Sequence, residues 1–212
     1  VSDKAYVVCL DVDSIIEHDA LLKLAQPFLD NNKKRLIAVG GVVHVANSCK
    51  IEKGRLIKRQ VPGKFLPRIQ VIEYARAFLI GRISWSRMNG LLIISGAIGM
   101  FDREVAIGSG GYLTETVGED MELVVRMRRY MYEKGLQHKV IYLPDPLLWT
   151  EVPDSKKVLG RQRNRWMRGT MDTLFVHNKL FFNPKYGSLG MLGYPYWFFF
   201  EWLAPIVEFF GF

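Results

Sequence analysis

Apolar and polar residues follow one another along the chain in blocks whose spacing predicts alternating strands and helices. Short apolar runs rich in β-branched and aromatic residues predict strands, and apolar residues three and four positions apart predict helices. The predicted strands cover residues 5–10, 36–45 and 138–143, and the predicted helices cover 19–31, 66–85, 119–134 and 155–177. This alternation is typical of an α/β fold with a largely parallel sheet, whose first strand we expect to be buried.

Turn-forming residues predict the boundaries between these blocks. Lys53-Gly54 predicts the turn of a polar hairpin, and Gly135 predicts a left-handed cap at the end of a helix. Pro144-Asp145-Pro146 predicts the end of the strand that precedes it, and Gly108–Gly111 predicts a loop. Residues 91–101, divided by a glycine, predict two short strands or a pair of buried loops.

The composition changes near Phe181, and residues 191–212 are almost entirely aromatic and apolar. Twenty-two residues are enough to cross a bilayer, and the tryptophans suit its headgroup region. We interpret 1–180 as the C-terminal portion of a folded catalytic domain and 181–212 as an interfacial segment leading into a membrane helix. A buried aromatic helix is the alternative.

The net charge is +8 and the pI about 9.5, which favours anionic partners such as nucleotide phosphates, nucleic acid or anionic lipid headgroups. Cys9 and Cys49 are too few for a disulfide framework and too far apart for a metal knuckle, so we expect buried thiols in a reducing, cytosolic environment. The chain begins at Val1 without a signal-peptide pattern, and we expect it to be a fragment or a processed piece.

Two carboxylates, Asp11 and Asp13, directly follow the first predicted strand. The carboxyl ends of strands are where α/β folds bind ligands, and carboxylate oxygens are ligands for Mg²⁺ or Mn²⁺ shared with phosphates. A helix cap or a closed turn is the alternative. An EF-hand is excluded, because Ile15 and Ile16 stand where an oxygen ligand and a glycine are required.

A second acidic pair, Glu119 and Asp120, opens a predicted helix, where the helix dipole favours negative charge in any case. Neighbouring residues on a helix point about 100° apart. The two carboxylates therefore cannot flank one bond as a glycosidase pair, although one of them can serve as a general base.

Gln162, Arg165 and Trp166 share one face of a predicted helix. An arginine fork matches phosphate oxygens, and an indole ring offers a flat apolar surface with one N–H donor. A solvated basic helix with one buried tryptophan is the alternative. The four arginines between 161 and 168 also leave a nucleic-acid-binding module open.

In combination, Asp-x-Asp after a strand, Glu-Asp opening a helix and Gln-x-x-Arg-Trp before an aromatic segment resemble the membrane-embedded family 2 glycosyltransferases. That family includes the synthases of cellulose, chitin, hyaluronan and poly-N-acetylglucosamine. The resemblance covers residues 7–212. It implies a GT-A fold, a nucleotide-diphosphate sugar donor and inversion at the anomeric carbon. It further implies a place at the inner or plasma membrane with the catalytic part on the cytosolic face.

The resemblance also implies roles for individual residues. Asp11 and Asp13 would bind Mg²⁺ or Mn²⁺ with the donor diphosphate, and Asp120 would deprotonate the acceptor hydroxyl. Arg165 would lie near the diphosphate and Trp166 under the acceptor sugar. The full set of implied donor and acceptor contacts is Gln162, Arg165, Trp166, Glu119, Ser95 and Gly96.

The chain departs from the family pattern at two places. Gly118 stands where many members carry Thr, and the opening strands of the nucleotide pocket are missing before Val1. We therefore expect no sugar transfer by the 212 residues alone.

The implied donor is a UDP-sugar of the glucose or N-acetylglucosamine type, and the implied acceptor is a glycan or a lipid. Accessory subunits are compatible with this assignment, and nucleic acid is not an expected partner. The alternatives are a non-processive enzyme that adds one sugar to a lipid, a basic nucleic-acid-binding module, and an inactive membrane-anchored scaffold.

Overall fold

The computed structural model describes residues 3–30 and 34–203. Five strands form one sheet, and two more form a separate hairpin. In chain order they are β1 (Tyr6–Leu10), β2 (Ile15–Ile16), β3 (Arg35–Val45), β4 (Lys50–Glu52), β5 (Arg55–Lys58), β6 (Ile98–Asp102) and β7 (His138–Thr150). The sheet has the order β1-β6-β3-β7-β2, and β4 pairs with β5. The predicted hairpin is thereby confirmed, with Lys53 and Gly54 both at positive φ in its turn.

The sheet is mixed, so the prediction of a largely parallel sheet is wrong. Only β3 and β7 run parallel, while the pairs β1–β6, β3–β6 and β2–β7 are antiparallel. The physical reason is that β6 inserts between β1 and β3 and runs against both. Such an insertion cannot be read from the alternation of strands and helices along the chain.

The first strand lies at an edge of the sheet, and its predicted burial is also wrong. Tyr6, Val8 and Leu10 are 37%, 39% and 46% exposed. β1 is hydrogen-bonded to β6 on one side, and within the described residues no strand pairs with its other side. The apolar run therefore identified the strand correctly, but it did not reveal that the strand lies at the edge of the sheet.

The helices are α1 (Ala20–Leu29), α2 (Phe65–Ala75), α3 (Ile83–Arg87), α4 (Arg103–Gly108), α5 (Glu119–Glu133), α6 (Lys156–Val176) and α7 (Tyr194–Tyr196). A π-helical stretch, Arg76–Arg82, joins α2 to α3, so the predicted long helix is confirmed. The sequence pattern missed α4 and assigned its last residue to a loop. A side-chain cap starts this helix, because Asp102 Oδ1 accepts a hydrogen bond from the Val105 N–H at 3.1 Å.

Helix α5 lies between two apolar cores. Leu123, Val124 and Met127 belong to the larger core, which contains the sheet. Met121 and Val125 belong to a smaller core formed with the end of α6 and the C-terminal helical segments. Because both of its long faces are covered, α5 holds its N-terminal residues on a rigid support.

Two boundary predictions have different outcomes. Gly135, at φ +67°, caps α5 as expected. Pro144-Asp145-Pro146 does not end its strand, because the backbone bulges there: Leu143 pairs with Gly41, and Pro146 pairs with Val42. β7 then continues to Thr150. Residues 91–95 form a loop and residues 98–102 form β6, so neither predicted alternative, two strands or two loops, holds for the whole stretch.

The two thiols are free and half-buried, so the prediction that they are buried is wrong. Cys9 lies on the edge strand β1, and Cys49 lies in the turn after β3, where its Sγ contacts backbone carbonyls. Cys9 packs against the larger core but lies on an edge strand, so it is only partly covered.

The described part of the aromatic C-terminal segment packs against the smaller core. Leu189 and Tyr194 are 0% and 2% exposed, and Trp197 and Trp202 lie against them. Among residues 3–30 and 34–203, no helix combines the length and apolar character needed to cross a membrane. Residues 204–212, which complete the predicted membrane segment, lie outside the described residues. The membrane prediction stays a prediction.

One buried histidine predicts a pH dependence of stability. His138 is 3% exposed, and its ring packs edge-on against Tyr132. Burial, with the nearby charge of Arg128, lowers its pKa from 6.5 to about 4. On acidification the unfolded chain protonates at His138 before the folded chain does. The stabilisation that neutral, buried His138 allows is therefore complete above pH 6.5 and is lost as the pH falls towards 4. The contribution amounts to at most about 3 kcal/mol.

We expect His138→Gln to remove this contribution to the pH dependence. The measurement is the urea midpoint at pH 7 and at pH 4.5 for both proteins. The midpoint of the native protein should fall more steeply between the two pH values than that of the variant. Equal falls would contradict the assignment.

Candidate active site

A turn after β1 carries the first acidic pair. The Asp11 N–H donates to the Ala97 carbonyl oxygen at 3.0 Å, and the Asp11 carbonyl accepts from the Ser14 N–H at 3.3 Å. Asp11 and Asp13 are both exposed. The turn is therefore fixed by its backbone while its carboxylates face solvent.

The loop that contains buried Ser95 and exposed Gly96 connects this turn to α5. Ser95 Oγ accepts a hydrogen bond from the Ala97 N–H at 3.2 Å, and Ala97 in turn holds Asp11. On the other side of the loop, a Cβ on Gly96 would lie only 2.9 Å from Asp120 Oδ2. A larger residue at this position would therefore displace the Asp120 carboxylate.

The carboxylates of the turn and of α5 act on one another electrostatically. Burial raises the pKa of Asp11 above its ordinary value, and the charges of Asp13 and Asp120 raise it further. Burial also raises the pKa of Asp120, Glu119 adds to the rise, and the Met121 N–H opposes it. These negative groups therefore converge from two elements far apart in sequence.

Asp11, Glu119 and Asp120 line a cleft of about 460 Å³, and Asp13 lies outside its lining. The cleft has a volume within the range of small-ligand sites. Its walls include Cys9, Asp11, Gly96, Tyr112, Glu119 and Asp120. Tyr112 donates a hydrogen bond from its hydroxyl to Cys9 Sγ at 3.0 Å. Burial and this hydrogen bond raise the pKa of Tyr112 far above its ordinary value, so the hydroxyl keeps its proton.

Helix α6 carries the third predicted group. Arg165 is exposed, and its charge lies close enough to lower the pKa of Asp11. Gln162 is half-buried, and its side-chain oxygen is buried without a hydrogen-bond partner. Trp166 is 40% exposed, and the guanidinium over its ring, at 4.8 Å, belongs to Arg163. Arg165 is thus accessible to a ligand, whereas the Gln162 side-chain oxygen is shielded from solvent.

Two glycines set the distance between α6 and the start of α5. A Cβ on Gly169 would lie 2.7 Å from Gly118 Cα, and a Cβ on Gly118 would lie 2.7 Å from Gly169 Cα. The backbones touch directly, as only a pair of glycines permits. This contact explains why a glycine precedes Glu119 in this chain.

A comparison with protein-family models decides the family. The model of Glycosyl transferase family group 2 matches residues 6–211. The chain belongs to this family.

Two curated relatives agree with the assignment. The family 2 domain is 30% identical over 169 residues to a poly-β-1,6-N-acetyl-D-glucosamine synthase from Staphylococcus epidermidis. It is 29% identical over 171 residues to the enzyme of the same name from Staphylococcus aureus. Each alignment covers 80% of this chain but only 36% of the relative, so the chain spans about a third of these relatives' length.

A solved structure resembles the family 2 domain in fold. It is the mannosyltransferase PcManGT from Pyrobaculum calidifontis, in complex with GDP-Man and Mn²⁺. The TM-score is 0.56 at 16% identity, covering 96% of this chain and 49% of that one. The mixed α/β fold is therefore GT-A-like, as the resemblance implied.

Sequence reasoning missed a residue that lines the cleft of this family 2 domain and a buried ion pair on α5. Tyr112 follows a glycine pair and gave no motif signal. Glu122 and Arg126 stand four apart on α5, a spacing that usually indicates a surface ion pair. Both are buried here because α5 is covered on both faces. No local pattern could have revealed that.

Proposed function

We propose that this chain is part of an inverting glycosyltransferase that extends a β-linked glycan from a UDP-sugar, of the glucose or N-acetylglucosamine type, at the cytosolic face of the cell membrane. One observation carries the proposal: Asp11 and Asp120 meet at one cleft, and the Arg165 charge lies near Asp11. Membership of family 2 and the similarity to poly-N-acetylglucosamine synthases support it.

The proposed reaction is a single displacement at the anomeric carbon. The acceptor hydroxyl oxygen forms the new bond, and Asp120 takes the hydroxyl proton as general base. The bond between the sugar and the diphosphate breaks, and its electron pair leaves with the diphosphate. Attack opposite the leaving group inverts the configuration. A carboxylate with a raised pKa suits this role, because it binds the proton more readily than an ordinary aspartate.

The residues on one face of α6 bind the two substrates. Arg165 offers a fork of N–H donors to the diphosphate oxygens. Gln162 shares the helix face of Arg165 and Trp166, but its side-chain oxygen is buried and would have to become exposed before it could accept a hydrogen bond from a substrate hydroxyl. The partly exposed ring of Trp166 provides an apolar plate for the acceptor sugar, and the Arg163 guanidinium over that ring holds its orientation.

The acidic turn fits a divalent cation. Within the described part of the chain, no three His, Cys, Asp or Glu side chains are arranged to hold a metal by themselves. Mg²⁺ nevertheless commonly binds through one or two carboxylates together with substrate phosphates. Burial, followed by repulsion from Asp13 and Asp120, raises the pKa of Asp11, and a cation beside Asp11 and Asp13 would relieve that repulsion. A bound Mg²⁺ or Mn²⁺ would neutralise charge on the diphosphate.

The test uses the complete native reading frame that contains this sequence, in isolated membranes. The panel comprises UDP-glucose, UDP-N-acetylglucosamine and GDP-mannose, with nucleoside diphosphate release and the linkage of the product as readouts. We expect release from one UDP-sugar and a β-linked glycan. A lipid carrying a single sugar would favour the non-processive alternative. No release from any donor, or release from GDP-mannose alone, would contradict the proposal.

A further inference from the structure

Three charged or titratable side chains form a buried cluster on the inner side of α5. Arg126 Nε and Nη2 donate to Glu122 Oε1 and Oε2, both at 2.8 Å. His177 Nε2 lies 3.1 Å from Glu122 Oε1, and the exposed fractions are 8% for Arg126, 1% for Glu122 and 0% for His177. Because a buried carboxylate with two such partners has little freedom, it fixes the orientation of the arginine fork.

The free side of that fork binds the loop after α4. Arg126 Nη1 donates to the Ser109 carbonyl oxygen at 2.6 Å, and Nη2 donates to the Gly111 carbonyl oxygen. Gly110 and Gly111 both have positive φ, and a Cβ on Gly110 would lie 2.7 Å from Arg126 Nη1. The loop is therefore closely wrapped around the guanidinium.

The residue that follows this loop forms a wall of the cleft. Tyr112 comes directly after Gly111, lines the cleft opened by Asp11 and Asp120, and is bonded through its hydroxyl to Cys9 Sγ. A continuous series of contacts thus runs from the interior of α5 to the strand that ends at Asp11.

We propose that Arg126 is a positioning residue of the active site, which holds Tyr112 as a wall of the substrate cleft by binding the carbonyls of Ser109 and Gly111. The inference rests on the proposed function for its catalytic consequence, but the positioning itself is independent of it. Arg126 touches no substrate in this account. Its effect on transfer passes through the loop and Tyr112.

The decisive variant is Arg126→Lys. An ammonium group keeps the charge beside Glu122 but cannot reproduce the planar fork that binds two carbonyls at once. We expect the loop to loosen and Tyr112 to leave Cys9. The first readout is the alkylation rate of Cys9, measured by peptide mass spectrometry on the native full-length protein, with Cys49 as the internal control. We expect the Cys9 rate to rise about tenfold or more, because exchange protection follows local opening, and the Cys49 rate to stay unchanged.

The second readout is sugar transfer. We expect kcat/KM to fall about 10- to 100-fold in Arg126→Lys, because small misplacements of positioning groups have effects of that size. Arg55→Lys, the same exchange at an exposed hairpin position, is the matched control and should change neither readout. In a double-mutant cycle with Tyr112→Phe, which breaks the bond to Cys9 directly, the two effects on Cys9 should not add.

Two results for Cys9 would contradict the proposal. An unchanged Cys9 rate in Arg126→Lys would overturn it, with or without a loss of transfer. A parallel rise at Cys9 and Cys49, with a lowered unfolding midpoint, would show general loosening and would also overturn it. If the native protein transferred no sugar, the proposed function would fail, and the Cys9 rates would still decide whether Arg126 holds the loop.

Discussion

Asp120→Asn is expected to abolish sugar transfer, lowering kcat about 1,000-fold, because an amide cannot accept the acceptor proton and general bases contribute about 10²- to 10⁴-fold. The substitution keeps size and shape, so the contact with Gly96 and the binding of donor should survive. The measurement is the rate of glycan formation in membranes, with donor KM measured alongside.

The matched control is Glu119→Gln, the same chemical change at the neighbouring carboxylate. Adjacent residues on α5 point about 100° apart, so both carboxylates cannot reach the same hydroxyl. We expect Glu119→Gln to retain activity within about tenfold, because it removes at most a binding contact and leaves the general base in place. Undiminished glycan output from Asp120→Asn would refute the assignment of the base and would favour an inactive scaffold or a different base.

The pH profile gives a second test of the same residue. The base acts only as the carboxylate, and burial raises its pKa above that of an ordinary aspartate. The kcat/KM of the native enzyme should therefore decline on acidification at a higher pH than an unperturbed aspartate would allow. The residual activity of Asp120→Asn should lack that acidic limb. An identical limb in both proteins would assign it to another group.

Gly169→Ala is the second substitution with a large expected effect. The new Cβ would lie 2.7 Å from Gly118 Cα, with backbone on both sides, so α6 must move away from the start of α5. Overpacking of this kind costs about 1–3 kcal/mol of stability. The shift would separate Arg165 from Asp11 and Asp120, and we expect kcat/KM to fall about 10- to 100-fold.

Helix α6 also contains the matched control. Gly160 is exposed on the same helix, and a Cβ there meets nothing within 4 Å. Gly160→Ala should stabilise the protein by about 0.5–1 kcal/mol through helix propensity alone and should leave transfer unchanged. The urea midpoint and kcat/KM of both variants are the measurements. If Gly169→Ala behaved like Gly160→Ala, the glycine contact would have no role in placing α6.

The spacing of residues along the chain predicted the elements that depend only on residues close together in sequence. The helical spacing of α5 and α6 and the turn at Lys53-Gly54 depend on residues close together in sequence, and each prediction is confirmed. Pro144-Asp145-Pro146 was misread because a long partner strand accommodates it as a bulge. The edge position of β1 was missed because strand order depends on contacts between residues about a hundred positions apart.

The same distinction holds for the candidate site. Asp11, Asp120 and Arg165 were selected by motif. The structure places Asp11 and Asp120 in one cleft and the Arg165 charge near Asp11, although their catalytic roles stay predictions. The Gly118–Gly169 contact and the bond from Tyr112 to Cys9 join distant segments. Neither leaves a signal in the spacing of residues along the chain.

The most direct test of the central claim is metal-dependent release of UDP from the preferred UDP-sugar, compared between the native full-length protein and Asp13→Ala. The account predicts release that requires Mg²⁺ or Mn²⁺ in the native protein and is lost in the variant at every metal concentration. Release that proceeds equally without metal, or that Asp13→Ala leaves intact, would contradict it.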